Sequence, residues 1–454
     1  MQLLKNTFDR NLKLEVKFLI FFISLIPLLL VTGPFLPDLI LTISVIIFIY
    51  ISIKEKLVKY YINPFFLIFL IFWIIIVLKS IYIESSLDLQ GLSGQIMDDN
   101  PYLSLKSTLP YIRFALFVNC VIYLVNLNAN FIKFFGLVLI ATLLFVIFDG
   151  LFQYIFNFNI FGMEIAKSKG AAEEATFVYV TSFFGDEKIL GSYLSRLFPL
   201  ALFFICMFKN LNIQKYHLKE IFLLLLACTV ILTTERVAII LCLITVVFSF
   251  FTSNDFYKRK YLFLLLIFFF VILSVLIFND SLLFNKVFYS TLSQLGISEN
   301  KSIESISYIF SKTHQEYYNI SLKIFFDNVF FGSGVKMYRI LCHVPEYFII
   351  NGCNTHPHHT LIQILSENGI FIFILFLLII TFVCISIFKY MFIEKNKTSI
   401  SDQRFLLLTC FFLTFFPLVP SGSFFNNWLS IIYYMPLGFY LAELNYFKNK
   451  KLIK

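Results

Sequence analysis

Runs of roughly 18 or more apolar residues recur along the whole chain, and that is the length at which a helix crosses the hydrocarbon of a bilayer. They fall at about residues 18–33, 38–53, 62–83, 108–126, 131–156, 189–208, 219–235, 236–252, 261–278, 361–388, 404–420 and 429–445. No soluble core accommodates them. Of the 454 residues, 59% are hydrophobic and 14% charged, where soluble globular chains hold about 45–50% and about 25%. The sequence therefore predicts an all-α polytopic membrane protein of about twelve transmembrane helices, and cytosolic enzymology is set aside.

The net charge of +9 would suggest a polyanion partner if it were spread over one surface. It is not. Lys5, Arg10, Lys13 and Lys17 precede the first run, and Lys448, Lys450, Lys451 and Lys454 follow the last. Basic residues collect on the cytoplasmic side of membrane proteins, so both termini read as cytoplasmic. Alternating the loops puts 22 of the 36 Lys and Arg on that side with only 8 of the 27 Asp and Glu. The excess charge is a topology signal, and no nucleic acid is needed to account for it. Pro27, Pro34 and Pro37 lead from the first run straight into the second with no small-residue cleavage pattern. The first run therefore reads as a retained anchor.

Residues 219–252 are read as two spans meeting at an outer hairpin. One continuous helix would bury Glu235 and Arg236 at mid-membrane, at about 2.5–3.5 kcal/mol each. Three stretches of a single integral membrane domain follow: spans one to nine in residues 1–278, a large outer loop at 279–360, and spans ten to twelve in 361–454.

Five of the six histidines, His314, His343, His356, His358 and His359, lie in that loop. His356 and His358 flank Pro357, which favours extended backbone at the residue before it, so the two rings can share a side. Zinc is one reading of such a pair, but it requires three or four protein ligands and no further ligand motif joins these two. General base catalysis is the other. His358 and His359 stand where the apolar run from Leu361 begins, so a helix N-terminus with unpaired N–H groups lies beside them and attracts anions. Gln363, Ser366 and Glu367 then form one polar helix face, which is expected to point into the bundle. Cys342 and Cys353, also in the loop, are a candidate disulfide, with two free thiols as the alternative. Asp149, Gln153, Arg196 and Arg113 are further polar groups at membrane depth, where function is the default reading.

The string THPHHTLIQILSENG from Thr355, the FFGSG ahead of Tyr338 and Arg339, FFGDEKILGSYL at 183–194 and GSFFNNW at 422–428 together resemble the bacterial O-antigen ligase and polymerase family. The resemblance runs from about Phe148 to Trp428. Its motif is a His, then Asn, Ser or Gln, nine residues, and a Gly. Here His358 and Gly369 fill the first and last places, His359 stands at the second, and Ile372 replaces a frequent small residue.

The resemblance implies a GT-C-like membrane scaffold in the bacterial inner membrane with a periplasmic active site. It implies transfer of a glycan from undecaprenyl pyrophosphate to a sugar hydroxyl of lipid A-core, with inversion and with no cofactor or obligatory metal. Polymerisation of lipid-linked repeat units is the alternative. His358 would be the general base, and Arg236 in TTERVAII matches the first of the family's outer-face arginines. His314 occupies the place of the second. Arg339, His356, Arg196, Gln363 and Glu367 are the remaining candidates for substrate or pyrophosphate contact. A polysaccharide flippase or transporter would also have twelve spans, but the inverted repeats that mark one are not seen.

Overall fold

The computed structural model describes residues 2–86, 102–169, 176–208, 218–249, 251, 271, 310–393 and 401–451. Its helices are α1 (Gln2–Thr7), α2 (Leu14–Leu29), α3 (Phe35–Lys54), α4 (Pro64–Ser86), α5 (Leu103–Thr108), α6 (Ile112–Leu127), α7 (Ala129–Phe156), α8 (Leu190–Met207), α9 (Leu218–Leu232), α10 (Arg236–Ser249), α11 (Lys312–Asp327), α12 (Tyr338–Leu341), α13 (Thr360–Phe392), α14 (Asp402–Thr414) and α15 (Asn427–Lys451). One antiparallel hairpin, β1 (Ala166–Lys169) and β2 (Thr176–Tyr179), pairs Ala166 with Tyr179. The protein is an all-α polytopic membrane protein. Among the described residues seven helical stretches are long and apolar enough to cross a bilayer, one of them Leu103–Leu127 taken as a whole, with Ile221–Leu232 and Arg236–Ser249 as shorter apolar helices.

The predicted runs are helical wherever they are described. The run at 261–278 lies outside the described residues apart from Val271, as does the 279–309 part of the large loop. Residues 219–252 form two helices that turn at Thr234, whose φ is +56°. The run at 404–420 is shorter as a helix, because α14 ends at Thr414 ahead of Pro417 and Pro420.

Buried aromatic residues hold the centre. Tyr111, at the start of α6, shares its hydroxyl with Tyr433 and Tyr434 of α15 at 3.1 and 3.3 Å. The helix ends predicted to face outward gather together. Arg113 of α6 forks onto Asp38 of α3 at 2.7 and 3.0 Å, and Asn427 of α15 donates to the same carboxylate at 3.1 Å. Lys13–Glu55 and Lys54–Glu15 tie α2 to α3 at their other ends.

The described part of the large loop is itself folded around Tyr317, Tyr318, Ile320, Ile324, Tyr338, Cys342, Val344 and Tyr347. α13 is broken at Gly369, whose φ of 77° and ψ of −179° are not helical. Nine residues beyond Thr360 is about 14 Å down the helix, where exposed backbone groups have no water to bond. Val329–Gly334 descends to meet them. Ile370 N–H donates to Val329 at 2.8 Å, Ser333 N–H to the Ser366 carbonyl at 2.9 Å, and Gly334 N–H to the Glu367 carbonyl at 2.8 Å.

This close approach accounts for two of the glycine motifs. A Cβ on Gly369 would fall on the Phe330 carbonyl, and one on Gly332 would fall on the Glu367–Asn368 peptide. Gly369→Ala adds left-handed strain of about 1–2 kcal/mol to that clash. The variant is expected to lose several degrees of thermal midpoint in detergent, read by fluorescence size-exclusion melting. Gly162→Ala, which shares a positive φ but meets nothing within 4 Å, is expected to lose less.

Candidate active site

The start of α13 is clasped by the 417–424 segment. His359 is its N-cap: Nδ1 accepts from Ile362 N–H at 3.4 Å, and Nε2 lies 2.9 Å from the Pro417 carbonyl. A carbonyl only accepts, so the proton sits on Nε2 and the ring is neutral. Asn and Ser, frequent at this place in the resembling family, are also good N-caps. Ser421 N–H donates to the His358 carbonyl at 2.8 Å, and Ser421 Oγ accepts from Thr360 N–H at 2.8 Å. Gln363 completes the clasp. Its Oε1 accepts from Phe424 N–H at 2.8 Å, and its Nε2 donates to Ser423 Oγ and to Glu367 Oε2, both at 3.0 Å. GSFFNNW therefore belongs with the histidine motif because it holds the backbone on which that motif stands.

His358 is displayed rather than tied. Its φ of +54° is left-handed, unusual for a residue with a Cβ and characteristic of constrained functional positions. Its ring centre lies 4.1 Å from His356, 5.9 Å from His314 and 5.5 Å from Tyr317, whose ring stacks on it at 28°. His314 is brought there by α11, whose N-cap Ser311 lies 2.7 Å from its Nδ1. Tyr317, one turn further along α11, also accepts from Asn354 at 3.1 Å.

The electrostatics follow the same order. Burial, and then the charge of Arg236, hold His314 below the ordinary imidazole value. Burial, and then His314, bring His358 down to about 4. His356 is pushed to about 3 by burial, His358 and Arg339. The groups thus form a row, Arg236, His314, His358, His356 and Arg339, in which the imidazoles are neutral at pH 7.

The other sequence candidates fall around this row. Arg196, 5% exposed on α8, donates from Nε to Ser192 Oγ at 3.0 Å while its Nη1 is buried without a partner. It lines a cavity of about 10 Å³ with Thr360 and Ser421–Phe424, room for one water. Glu235 does not turn to its neighbour in sequence. It accepts from Gly191 and Ser192 N–H at 2.8 and 3.1 Å at the start of α8. Burial raises its carboxyl to about 7 against those bonds and Arg196. Gln363, Ser366 and Glu367 are each 1% exposed, and Glu367 keeps Oε1 buried without a partner. Asp149 and Gln153 secure the outer loop of α7: Asp149 accepts from Ser182 and Ile160, Gln153 from Thr181 and Ser182. Cys342 and Cys353 are unbonded, and their sulfurs and a ring nitrogen of His343 lie within 4.8 Å of one another. Among the described residues that trio, rather than His356 and His358, is the group placed to ligate a metal.

Below the row an apolar cavity of about 310 Å³ opens between α4, α13, α14 and α15. It follows α13 on both sides of the Gly369 break, from Ile364 and Asn368 to Val383. Both polar atoms of the Asn368 side chain are buried without partners near its upper end.

Residues 221–377 match the family model described as O-antigen ligase, about a third of the chain. Over that segment the chain is similar to the O-antigen ligase family. No curated protein matches it. The O-antigen ligase match takes in Arg236, the described part of the large loop, His358 and the Gly369 break. The segments at 183–194 and 422–428 lie outside it and join the site through the Glu235 and Gln363 contacts. The match supports activity of the O-antigen ligase or polymerase type, and the apolar helices a multi-pass membrane protein.

Tyr317 and Lys336 were not identified from the sequence. Tyr317 had a signal, its three-residue spacing from His314 on one helical face. Lys336 had none.

Two outcomes follow. An unfolded histidine takes up a proton as pH falls through about 6.5, whereas His358 and His356 in the fold do so only near 4 and 3. The unfolded state binds more protons in that window, so stability is expected to fall from pH 6.5 toward 4, and His356→Gln should flatten the slope of melting midpoint against pH. His359→Asn should keep the wild-type midpoint, while His359→Ala should lose about 1 kcal/mol of stability in the same measurement.

Proposed function

We propose that the protein is a ligase that moves a glycan from undecaprenyl pyrophosphate to a sugar hydroxyl of lipid A-core on the periplasmic face of the inner membrane. The observation that carries this reading is the neutral His358, packed with His356, His314 and Tyr317 ahead of α13, whose residues from Ile364 to Val383 line an apolar cavity, with Arg236 acting on His314 in the same row. In this reading the prenyl tail lies along α13 and brings the pyrophosphate to the histidines.

His358 accepts the proton of the acceptor hydroxyl as its oxygen attacks the anomeric carbon. The bond from that carbon to the pyrophosphate oxygen breaks with inversion, and its electron pair leaves on the diphosphate. Arg236, which supplies a planar fork for phosphate oxygens, and His314 stabilise that charge. Tyr317 keeps the His358 ring in place by stacking. Arg196, without contact to the row, supports it through the 421–424 segment. A basic, partly buried cleft favours an anionic donor and a neutral base together, because bound pyrophosphate raises the imidazole toward the working pH. Polymerisation of lipid-linked units would use the same chemistry with a different acceptor.

Purified protein with lipid-linked donor and lipid A-core tests the reading. His358→Ala should lower turnover by about 10²–10⁴-fold while leaving donor binding nearly intact. Arg236→Lys should also lose most activity, since the charge remains but the fork does not. Normal transfer by His358→Ala removes the base assignment. Transfer to a lipid-linked repeat unit in place of lipid A-core would identify a polymerase.

A further inference from the structure

Beyond the histidine row, the chain that rises from the Gly369 break makes a second turn built around cations. Gly334 has φ +105° and Lys336 φ +61°, a left-handed position that a side chain rarely adopts. The turn has little freedom. Gly334 N–H is bonded to the Glu367 carbonyl, Met337 N–H returns to the Gly334 carbonyl at 3.2 Å, and a Cβ on Gly334 would fall on Ile83 of α4. Ile83, Met337 and Ile340 pack together beneath it with Leu103 and Leu341. Lys336 and Arg339, three residues apart, are thus set on a braced turn between α4, α5 and α13.

Their charges are answered there only by the buried carboxyl of Glu367, on which the turn's backbone and Arg339 both act. Neither Lys336 nor Arg339 forms an ion pair with a described residue, in contrast to Arg113, which is paired with Asp38. The Nε of Arg339 is buried without a partner. Arg113, the third cation of the neighbourhood, is already engaged by Asp38 at 2.7 Å. Glu367 is the carboxylate that acts on Lys336 favourably, while burial, Arg339 and Arg113 all disfavour its charge. Holding two like charges half-buried on a strained turn is costly, and a bound anion removes that cost.

We propose that Lys336 and Arg339 form a second anion subsite that holds a phosphate group of the acceptor glycolipid. This deepens the transferase reading and rests on it. Arg236 and Arg339 act on opposite members of the histidine row, His314 and His356. A donor diphosphate at Arg236 and an acceptor phosphate at Lys336–Arg339 would therefore flank His358, which must reach the acceptor hydroxyl and the donor carbon together. A point charge beside a guanidinium fork favours the several oxygens of a phosphate.

The test uses the full chain in nanodiscs with phosphorylated lipid A-core and the same glycolipid stripped of its phosphates. Equilibrium binding without donor is measured first. Wild type should bind the phosphorylated form about tenfold more tightly, and Lys336→Gln and Arg339→Gln should each remove most of that preference. Lys336→Arg should retain it, which separates loss of charge from misfolding. In two-substrate kinetics the same neutral variants should raise the acceptor KM about tenfold and leave the donor KM within about twofold. Equal binding of both glycolipids by wild type, or a matching rise in donor KM, would overturn the assignment. Phosphate-dependent binding without any glycan transfer would instead retain the subsite and defeat the transferase reading.

Discussion

Backbone polar groups at membrane depth must be bonded, and the break in α13 makes the structure depend on that requirement. At Gly369 the helix gives up its own bonding, and only another stretch of backbone can restore it there. Val329–Gly334 does so, with glycines where side chains would collide. The large loop is therefore anchored inside the bundle. Everything it carries, from His314 on α11 to Arg339 on α12, is positioned against the start of α13 by that one junction.

The same junction divides α13 by task. Its upper part is polar and clasped by Pro417–Phe424, which spaces His359, Thr360 and Gln363 by backbone and side-chain bonds. Its lower part lines most of the apolar cavity, which reaches above the break to Ile364 and Asn368. A polar head and a long apolar tail on one ligand are accommodated by one helix that changes character at its break. The histidines are neutral because they are buried among cations, and that condition suits a base and a cleft for anions at once.

Legibility varied with the range of the interaction. The spans were readable because each is a local run, and the Glu235–Arg236 turn followed from the cost of charge at mid-membrane. His358 and Gly369 were readable as a motif, but the reason for the glycine was not, since its partner lies at Phe330. Gln363 stood out as a buried polar group, although its bonds to Ser423 and Phe424 cross sixty residues of sequence. Asp149 and Gln153 show the reverse case. Their depth suggested chemistry, whereas their bonds serve the loop between α7 and α8.

By itself the sequence determined that the chain is a bundle of membrane helices and which histidines stand ahead of the tenth predicted span. Those are properties of composition and of neighbours along the chain. Only the tertiary structure decided which groups meet: His314 and Tyr317 at His358, Glu235 at the start of α8, and Lys336 beside Arg339 over the buried Glu367. The physical reason is that the spans are alike in being apolar. Their partners are chosen by a few buried polar bonds and close glycine contacts between distant residues, and no local pattern records these.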